Sequence, residues 1–304
     1  MPENQYINAS GWQQDVYQNF ILYSPNTQII LFIKQQIINM GEFNCTHIKF
    51  KNFYAPFACL IINTNTHEFF LVRDHFGLEP FYYTIIPSEH KKLCFGSDLP
   101  DILAHIENPV QDQKQIANVL MDICISSLEY TDHTFYENVF RVTPGHILIL
   151  NNLNQMSKQH HAFWELKPGG PRINYATDAE YDVHFSALLR EAVHVCCQSS
   201  PSSVGLEFSG GLDSSAILTA LDAEKINAQL FMHIGKVDDE RKYGEQLLKQ
   251  LKSIYPLHYI SADDFDVMAV LDQYKPWFAG GAPYLFFVSV QTPLYYLANF
   301  ADHN

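Results

Sequence analysis

The chain is poor in basic residues. Of its 304 residues, 19 are Lys or Arg and 33 are Asp or Glu, for a net charge of −14. Nucleic acid and anionic membrane surfaces recruit clustered Lys and Arg, so neither partner is expected, and any anionic ligand must be held locally. Charged residues make up only 17% of the chain and hydrophobic residues 47%, a balance that supports a packed core and excludes disorder by composition. Cysteine is also scarce. Cys45, Cys59, Cys94, Cys124, Cys196 and Cys197 form no CxxC pair and no zinc-type pairing with histidine, which reads as reduced thiols in a cytoplasmic protein. The N-terminus lacks a basic region followed by an apolar core, so no signal peptide is expected. The longest apolar run, Tyr284 to Phe300, is broken by Gln291, Thr292 and Pro293. It falls short of the roughly 20 residues of a membrane span and reads as a core helix. Two phosphate-binding signatures are missing as well: there is no GxxxxGK[ST] and no GxGxxG. No internal repeat or low-complexity tract is present.

What is present falls into two textures. Up to about residue 165 the chain carries short runs rich in aromatic and β-branched residues, separated by turn residues: Gln28–Ile33, Phe57–Ile62, Glu68–Val72, Phe81–Ile86, Lys92–Gly96 and His146–Leu150. These predict strands, with helices over Leu99–His105 and Gln111–Cys124, and so an α+β domain of antiparallel sheets. The breaker cluster Lys167-Pro-Gly-Gly-Pro-Arg172 marks a linker, placed at 166–175. From 176 to 304 helix and strand alternate. Thr177-Asp-Ala-Glu180 fits a capping box for a helix reaching about Cys197. Strands are predicted at Val204–Phe208, Gln229–Ile234 and Pro256–Ile260, and helices at Leu212–Ala223, Glu240–Leu251 and around Asp264–Tyr274. Such alternation implies βαβ units and a parallel sheet, an α/β domain.

The most informative string is Ser209-Gly-Gly-Leu-Asp-Ser-Ser215, between a predicted strand and a predicted helix. Ligands of parallel sheets sit beyond the carboxyl ends of strands. Glycines let backbone approach a ligand closely, and the following helix offers unpaired N–H groups and a positive dipole end. Ser209, Ser214 and Ser215 add hydroxyl donors. Asp213, an anion in an anion site, makes sense as ligand to a divalent metal that neutralises phosphate charge.

That string resembles the pyrophosphate loop (PP-loop) of ATP pyrophosphatases. The blocks Phe57–Ile62, Phe69–Tyr83, with Arg73-Asp-His-Phe-Gly-Leu-Glu-Pro at its centre, Leu93–Leu103, Phe135–Leu150 and Phe163-Trp164 resemble, in the same order, the glutaminase-type domain of asparagine synthetases. The chain is thereby identified as similar to that family from about Tyr54 to Ile260. The resemblance implies a ligase that adenylates a carboxylate, small molecule or peptide, using ATP and Mg2+, and then forms an amide. It implies that Ser209, Gly210, Gly211, Asp213 and Ser214 grip pyrophosphate and that Asp213 binds Mg2+. Leu206 and the end of the next strand, near Met232 and His233, would line the adenine pocket. No catalytic side chain is assigned, because catalysis by positioning and charge stabilisation needs no protein nucleophile. The Arg73–Tyr83 block reads as scaffolding, a strand, a turn at Gly77 and a second strand.

Two departures shape the expectation. The family's glutaminase nucleophile is a cysteine directly after the initiator Met, whereas position 2 here is Pro2 and the first cysteine is Cys45. The N-terminal domain is therefore expected to be a degenerate glutaminase that releases no ammonia. The family's second acidic motif is also not found: Gly280-Gly281 is followed by Ala-Pro, and the chain stops at Asn304. The expectation is a PP-loop domain lacking its C-terminal part, inactive by itself and completed by a downstream segment or a partner chain. Two alternatives stand beside this reading. One is an intramolecular ring-closing ligase of the β-lactam synthetase or lasso-peptide cyclase type. The other is a non-catalytic remnant or partner-dependent subunit.

Overall fold

A computed structural model of the chain describes residues 6–40, 43–88, 91–123, 132–151, 153, 158–167, 169–170, 172–198, 204–234, 241–251 and 255–261. The expected helix at Asp264–Tyr274, the apolar run Tyr284–Phe300, the Gly280-Gly281 pair, Pro2 and Cys124 lie outside these residues. Contacts divide the chain into two compact units, whose described parts are residues 6–167 and 169–261. Among the described residues no helix is long and apolar enough to cross a membrane.

The N-terminal unit runs β1 (Tyr6–Asn8), β2 (Gln13–Tyr17), β3 (Phe20–Ser24), α1 (Thr27–Ile38), β4 (Ala58–Asn63), β5 (Glu68–Arg73), β6 (Tyr82–Ile86), β7 (Lys92–Gly96), α2 (Leu99–Leu103), α3 (Gln113–Ile123), β8 (Val139–Arg141), β9 (His146–Leu150) and β10 (Lys158–Ala162). Two sheets form, one in the order β1-β7-β6-β8 and one in the order β10-β9-β5-β4-β3-β2. Side chains alternate across each strand. Leu60 and Ile62 of β4, Leu71 of β5 and Leu148 of β9 join Phe81, Leu93 and Phe95 between the sheets. Their neighbours Cys59, Ile61, Val72 and Ile147 face the other way, onto Ile29, Ile33 and Ile37 of α1. On the far side, Cys94 packs with Leu99 and Ile102 of α2. The unit is thus helix, sheet, sheet, helix in layers, with both faces of the six-stranded sheet buried.

One sequence expectation is overturned here. Gln28–Ile33 is not a strand but part of α1. Its isoleucines favour strands by type, yet Ile29, Ile33 and Ile37 recur every four residues and bury one helical face. Asn26 also caps the helix, its Oδ1 accepting from the Gln28 amide at 2.9 Å. Strands β1, β2, β3, β8 and β10 were not predicted from the sequence.

The C-terminal unit contains α4 (Asp178–Gln198), β11 (Val204–Glu207), α5 (Leu212–Ala223), β12 (Ala228–Ile234), α6 (Arg241–Gln250) and β13 (Leu257–Ser261). Its described strands are all parallel, in the order β11-β12-β13, with Leu206 opposite Leu230 and Met232 opposite Tyr259. In the first turn of α4, Glu180 Oε2 accepts from the amides of Ala176 and Thr177 at 2.8 and 3.1 Å, which realises the Glu side of the predicted capping box. Leu206, Phe208, Leu218, Leu221, Leu230 and Met232 form the core of this unit.

Candidate functional site

β11 ends at Glu207, and the Phe208 amide still bonds to the Phe231 carbonyl at 2.8 Å. The chain then leaves the sheet, and α5 begins at Leu212. The turn between them needs Gly210, whose φ is +86°, a conformation that L-residues rarely adopt. Three contacts draw the loop together. Ser209 Oγ accepts from the Gly211 amide at 3.1 Å, lies 3.1 Å from Ser214 Oγ, and Ser214 Oγ reaches the Gly211 carbonyl at 3.4 Å. Gly211 is the N-cap and carries no side chain to cap the first-turn amides of α5, so that end of the helix is open to an anionic ligand.

Asp213 sits in the first turn of α5 and is exposed. Its carboxylate takes no hydrogen bond or ion pair from a described residue. Among the described residues no group of three or more His, Cys, Asp or Glu side chains could hold a metal ion. One exposed carboxylate beside an open helix end matches the donor set of Mg2+, which binds through one or two carboxylates plus phosphate oxygens and water.

The structure brings Ser209, Gly210, Gly211, Asp213 and Ser214 into one short turn. Leu206 and Met232 lie instead in the core of the unit. Met232 is pinned under α6, where a Cβ added to Gly244 would stand 2.6 Å from Met232 Cε and 3.0 Å from Phe208 Cε1. Gly244 escaped sequence reasoning, because a glycine inside a helical pattern signals close packing only once the neighbouring strand is known. His233 lies within β12.

In the N-terminal unit the Arg73–Tyr83 block is a hydrogen-bonded brace, its Asp74, Phe81 and Tyr83 buried and its Phe76 and Leu78 exposed. Arg73 donates to the carbonyls of Glu79 (2.8 Å), Val142 (3.1 Å) and Gly77 (2.7 Å). Burial lowers its guanidinium pKa, partly offset by nearby Tyr82 and Asp74. Asp74 accepts from the amides of Phe76, Leu78 and Glu79 at 2.9–3.1 Å. Gly77 turns at φ +67°. Trp12 inserts between the sheets with its ring 4.8 Å from Phe81 and 5.5 Å from Phe95, and donates Nε1–H to Ser97 Oγ at 2.8 Å. Cys45, Cys59 and Cys94 are all buried. Burial pushes all three thiols up, that of Cys94 to about 12, which leaves too little thiolate for nucleophilic chemistry.

Known proteins bear on both units. Residues 38–164 match the glutamine amidotransferase domain family and residues 184–304 match the asparagine synthase family. A glutamine-hydrolyzing asparagine synthetase 2 from Bacillus subtilis (strain 168) is 31% identical over 205 residues, which cover 64% of this chain and 26% of that protein. A protein described as a glutamine-hydrolyzing asparagine synthetase 2 from Methanocaldococcus jannaschii is 26% identical over 254 residues, 82% of this chain and 45% of that protein. The amidase chry2 of Gibberella zeae is 27% identical over 169 residues, 54% of this chain and 22% of that protein. The chain thus spans less than half the length of the curated relatives it matches. An amidotransferase match followed by a synthase match, in the order of the two units, together with the synthetase relatives, places this chain in the asparagine synthetase-like family.

Proposed function

We propose that the C-terminal unit is the nucleotide-gripping part of an ATP-dependent amide-forming ligase. The loop Ser209–Ser214 holds the pyrophosphate portion of ATP, and Asp213 ligates Mg2+. A carboxylate substrate attacks the α-phosphorus and displaces pyrophosphate. An amine then attacks the acyl adenylate, giving an amide and AMP. The observation that carries this reading is the loop itself: two serine hydroxyls 3.1 Å apart, a glycine at φ +86° and an uncapped helix end, beyond the carboxyl end of a parallel strand. Calorimetry with ATP·Mg tests it. Asp213→Ala and Gly210→Val should each weaken binding by at least about tenfold, the first by removing a charge-assisted ligand and the second by forcing a side chain onto a left-handed backbone. Unchanged affinity in both variants would mean that the loop is only a turn.

The N-terminal unit serves in this reading as scaffold and releases no ammonia from glutamine. The support is the state of its described cysteines, buried and held protonated, and the aromatic filling of the space between the sheets by Trp12, Phe81 and Phe95. The amine then comes from free ammonia or from the substrate itself, as in a ring-closing ligase. Incubation with glutamine should yield no glutamate above the enzyme-free rate.

A further inference from the structure

Side chains at the end of β11 alternate between two sides of the sheet. Leu206 and Phe208 are buried in the core of the C-terminal unit together with Met232 of β12. That side is full: even a Cβ at Gly244 of α6 would stand 2.6 Å from Met232 Cε and 3.0 Å from Phe208 Cε1. Glu207, between Leu206 and Phe208, therefore faces the other side. It is the last residue of β11, stands opposite Phe231 in the register, and is exposed. The Phe231 ring stacks on His258 at 5.0 Å, and His258 Nε2 lies 3.1 Å from Gln229 Oε1. The Glu207 carboxylate takes no hydrogen bond or ion pair from a described residue, although its surroundings desolvate it enough to raise its pKa.

At about 3.3 Å per residue, Glu207 lies roughly 7 Å along the chain from Ser209. An anion so close to a pyrophosphate site repels the phosphates unless it serves another part of the same ligand. Leu206, Phe208 and Met232 close one side of the strand end, so a nucleotide gripped by its phosphates at Ser209–Ser214 has the Glu207 side on which to lay its sugar. The sugar is also the group that follows the α-phosphate directly, through a single ester bond. We infer that Glu207 accepts hydrogen bonds from the 2′ and 3′ hydroxyls of the ribose and so makes the site selective for ribonucleotides over deoxynucleotides. A carboxylate accepts only, and its pair of oxygens matches a pair of neighbouring hydroxyl donors. A deoxy sugar leaves one oxygen of a partly desolvated carboxylate unpaired, and that loss is what discriminates. An acidic side chain meets ribose in the same way at the strand ends of dinucleotide-binding sheets. The inference rests on the nucleotide reading of the loop and adds to it the part of the ligand that the loop does not hold.

Calorimetry of the full chain with the magnesium complexes of pyrophosphate, ATP, 2′-deoxy-ATP and 3′-deoxy-ATP tests it. The wild-type chain should bind ATP about tenfold or more tightly than either deoxy analogue, as expected for a hydroxyl bonded to a charged group. Glu207→Ala should erase that preference by weakening ATP about tenfold or more. It should leave pyrophosphate binding no weaker, because an anion has been taken from beside the phosphates. Retained pyrophosphate binding also shows that the variant is folded. Glu207→Gln, of the same size but uncharged, should keep pyrophosphate binding and show a smaller preference than wild type. If Glu207 is a bystander, its removal tightens ATP and the deoxy analogues alike, and the inference is overturned. A wild-type chain without the preference, or a preference that survives in Glu207→Ala, overturns it equally and leaves the phosphate reading standing. A chain that binds neither pyrophosphate nor ATP overturns that reading and this inference with it.

Discussion

Replacing Gly77 by alanine measures how tightly the Arg73 brace is built. A new Cβ at Gly77 would lie 2.8 Å from Arg73 Cζ and 2.8 Å from Pro144 Cγ, on a backbone held at φ +67°. The left-handed backbone alone costs a non-glycine residue roughly 1–2 kcal/mol. Relief of the clash must displace a guanidinium that serves three carbonyls, an overpacking cost of about 1–3 kcal/mol. Gly11 supplies the control: its φ is +64°, but an added Cβ would meet nothing within 4 Å. Gly11→Ala should therefore lose only the strain, and Gly77→Ala roughly 2–5 kcal/mol, a large part of the 5–15 kcal/mol typical of a domain. Urea unfolding followed by tryptophan fluorescence reads this unit through Trp12 and Trp164. Equal losses in the two variants would refute the claim that the guanidinium is locked in place.

Glu79 gives a pH signature. Burial raises its carboxyl pKa against the opposing Ser97 hydrogen bond, with Asp74 adding to the rise. A carboxyl whose folded pKa lies above its unfolded value favours folding while protonated, and that contribution is lost as pH rises through the folded pKa. Glu79→Gln, which keeps an acceptor for Ser97, should gain melting temperature relative to wild type at pH 7 and little at pH 4. The reverse order would show that the ionised carboxylate is the stabilised form. Thiol titration of the native chain should label Cys196, which is exposed, well before the buried Cys45, Cys59 and Cys94. If a Cys124→Ser/Cys196→Ser/Cys197→Ser variant keeps the fast phase, the burial assigned to Cys45, Cys59 and Cys94 is wrong.

The turn Ser209–Ser214 between β11 and α5 was readable from sequence because its residue types answer to backbone demands that sequence shows directly: a glycine for a positive φ, hydroxyls and an acid at a helix start. The alternation β11, α5, β12, α6, β13 was readable for a similar reason, since each element is a local run of one periodicity. Helix α1 was not, because Ile29, Ile30 and Ile33 are strand-forming by type and only their spacing against the Asn26 cap reveals a helix. β3 escaped as well: all five residues from Phe20 to Ser24 are buried, so the alternation of a half-exposed strand is missing. The positions of Met232 and Gly244 depend on how α6 lies across the sheet, which no local pattern encodes.

The two sheet systems also differ in the distance along the chain that their pairings must bridge. In the C-terminal unit each described strand pairs with the next one made, β11 with β12 and β12 with β13. In the N-terminal unit Tyr6 pairs with Leu93, and Phe69 with Leu150. On a ribosome delivering about 5–20 residues per second, β1 waits for some seconds before its partner exists, with its edge available to other chains or to chaperones. The Ser209–Ser214 turn has no such delay: its strand, turn and helix emerge together, and the neighbouring strand follows within a second or a few. Among the described residues, slow, non-local closure thus falls to the amidotransferase-like unit, while β11, β12 and β13 pair in the order of their synthesis.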